Sequence, residues 1–104
     1  MKITTQDKFV EEDIIETLGI VQGSSIRSRN VGKDIMAGLR SIIGGELIEY
    51  TKLMAESREQ ALDRMIADAT EKGANGVVGL RFSTSAVMSG AAEILVYGTA
   101  VKLK

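Results

Sequence analysis

A chain of 104 residues holds one domain, and 44% apolar residues suffice for one modest core. Its 13 basic and 14 acidic side chains leave a net charge of −1, too little of either sign to draw nucleic acid or an anionic membrane surface. There is no Cys and no His, which excludes a disulfide framework, a thiolate nucleophile, an imidazole base and the thiolate and imidazole ligands that heavy metals prefer.

The opening MKITTQDKFVEED is a short polar lead without the apolar stretch of a secretory leader, and no later run approaches the roughly 20 apolar residues of a membrane span. The expected compartment is the cytoplasm. In DIIETLGIV, residues 13–21, Ile14, Leu18 and Ile20 alternate against Ile15 and Val21. This predicts a strand to about Val21, or, with a bulge at Gly23, one that continues to Arg27. The period then changes: Val31, Ile35, Met36, Leu39, Ile42 and Ile43 share one helical stripe, with Asn30 placed to cap it and Gly44 to end it. A second helix follows over residues 46–72, where Leu47, Tyr50, Met54, Ala61, Met65 and Ala69 recur at steps of three and four. Glu46 and Glu49 suit its first turn, Lys72 its last, and Gly73 its left-handed stop. Residues 76–85 and 92–103 are β-rich, and Ser89-Gly90 between them suits a hairpin. The order β-α-α-β-β predicts a single α+β domain over residues 1–104, with a small antiparallel sheet on a long helix.

The last strand is apolar on both faces, with Leu95, Tyr97, Val101 and Leu103 on one and Ile94, Val96 and Ala100 on the other. A strand with one face in water should alternate apolar with polar. Two helices cover one face of a three-stranded ribbon and leave nothing for the second. The second face is therefore expected to meet another copy of the chain, with Leu95, Tyr97, Val101 and Leu103 as interface residues. Gly79, Gly98 and Ala100 would permit close backbone approach there. The alternative is a hairpin that curls over its own inner face.

DIMAGLRSIIGGELIEYTKLM, REQALDRMIADATEKGANGVVGLRF and the closing YGTAV together resemble the YbjQ-like family of small uncharacterised proteins. The resemblance runs from about Ile15 to Leu103. It implies a subunit shaped like that of dodecin, assembling as a homopentamer or as two stacked pentamers. The family carries a heavy-metal-binding label, for which this chain offers no thiolate or imidazole and no Ca²⁺-type acidic loop. Glu11, Glu12 and Asp13 read as a solvated cluster, so neither a metal nor another cofactor is expected.

Gly44-Gly45, at the predicted start of the second helix, has two readings. Free N–H groups there suit an anion, but Glu46 and Glu49 oppose one, no Lys follows and no strand precedes. The preferred reading is a hinge between two helices. Arg40, Tyr50 and Arg58, with Gly44 and Gly45, are the candidate ligand-binding residues, for a carboxylate or phosphate at a subunit boundary. With Glu59 they would also make the inter-subunit site of an enzyme, although no catalytic residue is assigned. The preferred reading of Arg40 and Arg58 gives them to ion pairs with Glu46, Glu56 or Glu59. Arg81 and Glu93 are expected to approach across the final hairpin and set its register. The sequence thus favours a non-enzymatic homo-oligomer that holds an unidentified small molecule or partner, with no role for nucleic acid or membrane.

Overall fold

The computed structural model describes residues 1–28, 48–88 and 91–104. The first predicted helix, its Asn30 cap, the Gly44-Gly45 link and the Ser89-Gly90 turn lie outside them. Among the described residues the chain forms strand β1 (Lys2–Ile3), strand β2 (Ile14–Ser28), helix α1 (Ile48–Glu71), strand β3 (Gly76–Met88) and strand β4 (Ala91–Leu103).

The strands make one mixed sheet in the order β1-β3-β4-β2. β4 pairs antiparallel with both β2 and β3, and the short β1 runs parallel to the start of β3. The fold is the expected α+β. It differs from expectation in having a fourth strand, since the polar lead enters the sheet, and two residues carry too little periodicity to announce it.

Helix α1 ends as its sequence predicts. Gly73 takes φ +82°, the Gly73 N–H bonds Thr70 O at 3.0 Å, and the Ala74 N–H reaches back to Ala69 O at 3.0 Å. That is the double closure of a Schellman turn, which glycine permits at no steric cost. Asn75 then ties the turn to β4, its Oδ1 accepting the Leu103 N–H at 2.6 Å.

The helix lies on the sheet along Ser57, Ala61, Met65 and Ala69, all fully buried and spaced four apart. Beneath them lie Val21 of β2, Val77 and Leu80 of β3, and Ile94, Val96 and Ala100 of β4. Small residues on the stripe bring helix and sheet close. A Cβ at Gly23 would run into the backbone of Ala61 and Met65, so glycine is required there for approach. The bulge expected at Gly23 occurs instead around Gly19, at φ +107°. A further bulge sits at Gly79, where Gly79 and Leu80 oppose Gly98 alone.

One polar cluster interrupts the apolar core. The Ser57 hydroxyl donates to Ser25 Oγ at 3.0 Å, and Ser25 donates to Gln60 Oε1 at 2.9 Å. Both serines are buried, and each hydroxyl is satisfied, so the cluster fixes the helix along the sheet without an orphaned polar group.

Candidate functional site

The sheet's second face is defined by strand register. Opposed residues of an antiparallel pair share a face, and β4 opposes Ile20 to Thr99, Gln22 to Tyr97, Ser24 to Leu95 and Ile26 to Glu93. These positions alternate with Val21, Gly23 and Ser25, which face the helix. Arg81, Ser83 and Ser85 of β3 extend the same outer face.

The chain covers one end of this face itself. Val78, Val101 and Leu103 form a second small core under Phe9 and Ile14, and Val101 and Leu103 are only 1% and 4% exposed. These two expected interface residues are thus buried within the subunit. The segment that covers them is the polar lead, fixed at several points. Thr4 N–H bonds Val77 O at 3.0 Å, Gly79 N–H bonds Gln6 O at 2.8 Å, and Leu80 N–H bonds Thr4 O at 3.1 Å. The Arg81 guanidinium donates to Thr5 O at 2.8 Å. Lys2 pairs with Glu12, and with Glu11 at 3.3 Å, which joins the two ends of the segment. The Glu11 carboxyl is held below its ordinary range, first by its own backbone N–H and then by Lys2, and Lys2 is raised chiefly by Glu12.

The other end of the face lies open. Ile20 is 75% exposed, Ile26 60% and Tyr97 39%, with Leu95 half-buried between them. Ile20 and Ile26 belong beside Leu95 and Tyr97 as candidate contact residues. Their shared parity along β2 was the available signal, but only β4 shows two apolar faces in its own sequence.

Arg81 and Glu93 do not meet. Arg81 opposes Tyr97 and Glu93 opposes Ser85, four positions apart. The pairing that continues to Met88 and Ala91 sets that register.

Of the five candidate ligand-binding residues, Arg40, Gly44 and Gly45 lie outside the described residues, and Tyr50 falls in the first turn of α1. Arg58 and Glu59 are exposed. They border an open groove of about 560 Å³ along α1 with Lys52, Glu56 and Asp63. Every lining residue comes from that one helix, and the two cations and three carboxylates favour neither ligand sign. Among the described residues no ion pair joins Arg58 to Glu56 or Glu59.

For a heavy metal the donor set does not fit. The chain offers oxygen donors in place of thiolate and imidazole. Among the described residues no three acidic side chains converge, and Glu11 and Glu12 are already paired with Lys2. No described helix is long and apolar enough to cross a membrane.

A family model described as "Putative heavy-metal-binding", that of the YbjQ proteins, matches residues 1–104. A UPF0145 protein of Methanococcus maripaludis is 61% identical over 104 residues, covering 100% of this chain and 93% of its own. A UPF0145 protein of Photobacterium profundum is 55% identical over 101 residues, covering 97% of each. A crystal structure from Pediococcus pentosaceus, a protein of unknown function in the DUF74 family, superposes with a TM-score of 0.66 at 18% identity, over 100% of this chain and 98% of that one. At that identity the likeness concerns the fold alone.

Proposed function

The chain belongs to the YbjQ family, and on that premise we propose that it works as a cytoplasmic homo-oligomer, a pentamer or a decamer of stacked pentamers. The assembly would serve as a scaffold or hold a small ligand between subunits, without catalysis. The observation that carries this reading is the open end of the outer sheet face, where Ile20, Ile26, Leu95 and Tyr97 share one face, set among Gln22, Ser24, Thr99 and Glu93, and the two isoleucines are exposed.

Light scattering and native mass spectrometry of the protein as purified test the reading. A mass of five or ten chains is expected, and a co-purifying small molecule would identify the ligand. A clean monomer at micromolar concentration would overturn it.

A further inference from the structure

The polar lead is pinned at both ends and lightly held between them. At its start the Lys2 N–H bonds Asn75 O at 3.1 Å, the Thr4 N–H bonds Val77 O at 3.0 Å, and Ile3 packs on the main core. At its end Asp13 O accepts the Lys104 N–H at 3.0 Å, and Ile14 begins the ladder with β4. Residues 5–12 between these pins form neither helix nor strand. Lys2 draws the two ends together through Glu11 and Glu12. That is the layout of an Ω-loop, a compact loop with closed ends and a filled interior.

Its filling is one ring. From Thr5 to Glu11 every residue except Phe9 is exposed. Phe9 packs on Val78, Val101 and Leu103, and a Cβ at Gly76 would come within 3.3 Å of the ring and 2.9 Å of Leu103. Glycine there keeps room for the seated ring. This small core shares no residue with the main one, which α1 covers. The Lys2 pairs lie at the surface, where ion pairs hold weakly. The Arg81 Nη1 that reaches Thr5 O also bonds Leu80 O at 2.7 Å, so it keeps a partner when the loop lifts. The Gly79 N–H, bonded to Gln6 O at 2.8 Å, passes to water.

We propose that residues 5–12 are a lid that lifts from the sheet while the rest of the subunit stays folded, carrying Phe9 out of its seat and uncovering Val78, Val101 and Leu103. Cooperative units open in order of how little they bury, and this one buries a single ring against an outlying core, without a ladder of its own. β1 and Asp13 stay in place, because their bonds belong to the pins, so the lid moves between two fixed points. Val101 and Leu103 occupy alternate positions of β4 with Leu95 and Tyr97, so lifting adds them to the exposed part of the same face. The lead thereby controls how far that face extends. Because the Lys2 clasp is ionic and exposed, salt favours opening. The lid belongs to one subunit and does not depend on the assembly read above.

The chain has no cysteine, so a single introduced thiol reports opening at one place. Val101→Cys puts it under the lid and Val96→Cys puts it under α1, at positions 1% and 0% exposed. Their rates of reaction with an aromatic disulfide reagent are compared in native buffer, alone and combined with Lys2→Gln. The thiol at 101 is expected to react roughly tenfold faster than the thiol at 96. Lys2→Gln should speed the first about threefold and leave the second unchanged. If Val101→Cys fails to fold by circular dichroism, hydrogen exchange in the wild type decides, with the Gly79 N–H expected to exchange roughly tenfold faster than that of Val96. Equal rates at the two sites, or a Lys2→Gln effect shared by both, would mean that the lead opens only with the whole fold and would overturn the lid.

Discussion

The two ends of the sheet share the same strands, yet among the described residues one end is closed by the chain and the other is not. At the closed end Val78, Val101 and Leu103 lie between the sheet and Phe9, and Asn75 ties the helix turn to β4. At the open end residues 81–86 of β3 are exposed, and Ile20 and Ile26 stand in water on the face that carries Tyr97. The closed end is thus held by contacts within one sequence, whereas the open end has β-rich sequence and ordered pairing without cover. Stability measured on the isolated subunit should report the first end, and association should report the second.

Substitutions can separate the two. The largest effect is expected at Gly23→Val, whose side chain would push against the backbone of Ala61 and Met65. It should cost about 3 kcal/mol in denaturant unfolding, the upper range for overpacking. Phe9→Ala uncovers the closed end, and a loss of about 2 kcal/mol is expected for this half-buried ring, with native mass unchanged. Ile20→Asp combined with Ile26→Asp should leave secondary structure intact and reduce native mass, the reverse signature. An equal loss of helix and mass in that variant would mean that the two ends are not independent.

Smaller effects sharpen the picture. The Asp68 carboxyl is held below its ordinary range, first by the Lys72 ammonium at 2.8 Å and then by the Gln22 N–H. A depressed carboxylate adds stability above its unfolded pKa and loses it as pH falls through the folded value. Asp68→Ala should therefore cost about 0.5 kcal/mol at neutral pH, as expected for a surface pair. The difference from wild type should close below the ordinary carboxylate range, about pH 4, and a gap that persists in acid would refute the linkage. Smallest of all, Zn²⁺ or Cu²⁺ at tenfold excess should leave the melting temperature unmoved, since an ion that bound only the native state would raise it.

Much of this architecture was legible in the sequence. The helix over residues 46–72 is described as Ile48–Glu71, with Lys72 just past its end, and the Gly73 stop has the expected φ. Strands β2, β3 and β4 appear where β-branched runs placed them. What escaped was long-range. Gly19 and Gly23 look alike in a sequence, but one serves a positive φ and the other a close approach, and only the position of α1 distinguishes them. The lead reads as polar because Phe9 is its one ring, and a single aromatic does not reveal which face it will cover. Arg81 and Glu93 lie at unequal distances from the turn, so pairing counted back from Met88 and Ala91 already sets Glu93 opposite Ser85 and Arg81 opposite Tyr97. Of the candidate site, Tyr50, Arg58, Glu59 and the β4 face lie among the described residues, and half of that face belongs to the subunit's own core.

Gly23 also bears on how the subunit answers force. Where helix and sheet meet through side chains, the gap between layers can yield as rotamers shift. Here backbone rests on backbone, with only a glycine between, so this point acts as a rigid stop about which the layers rock instead of separating. Compression of the subunit, by pressure or by neighbours in a lattice, should then be taken up at the ends of α1, with its middle acting as the pivot.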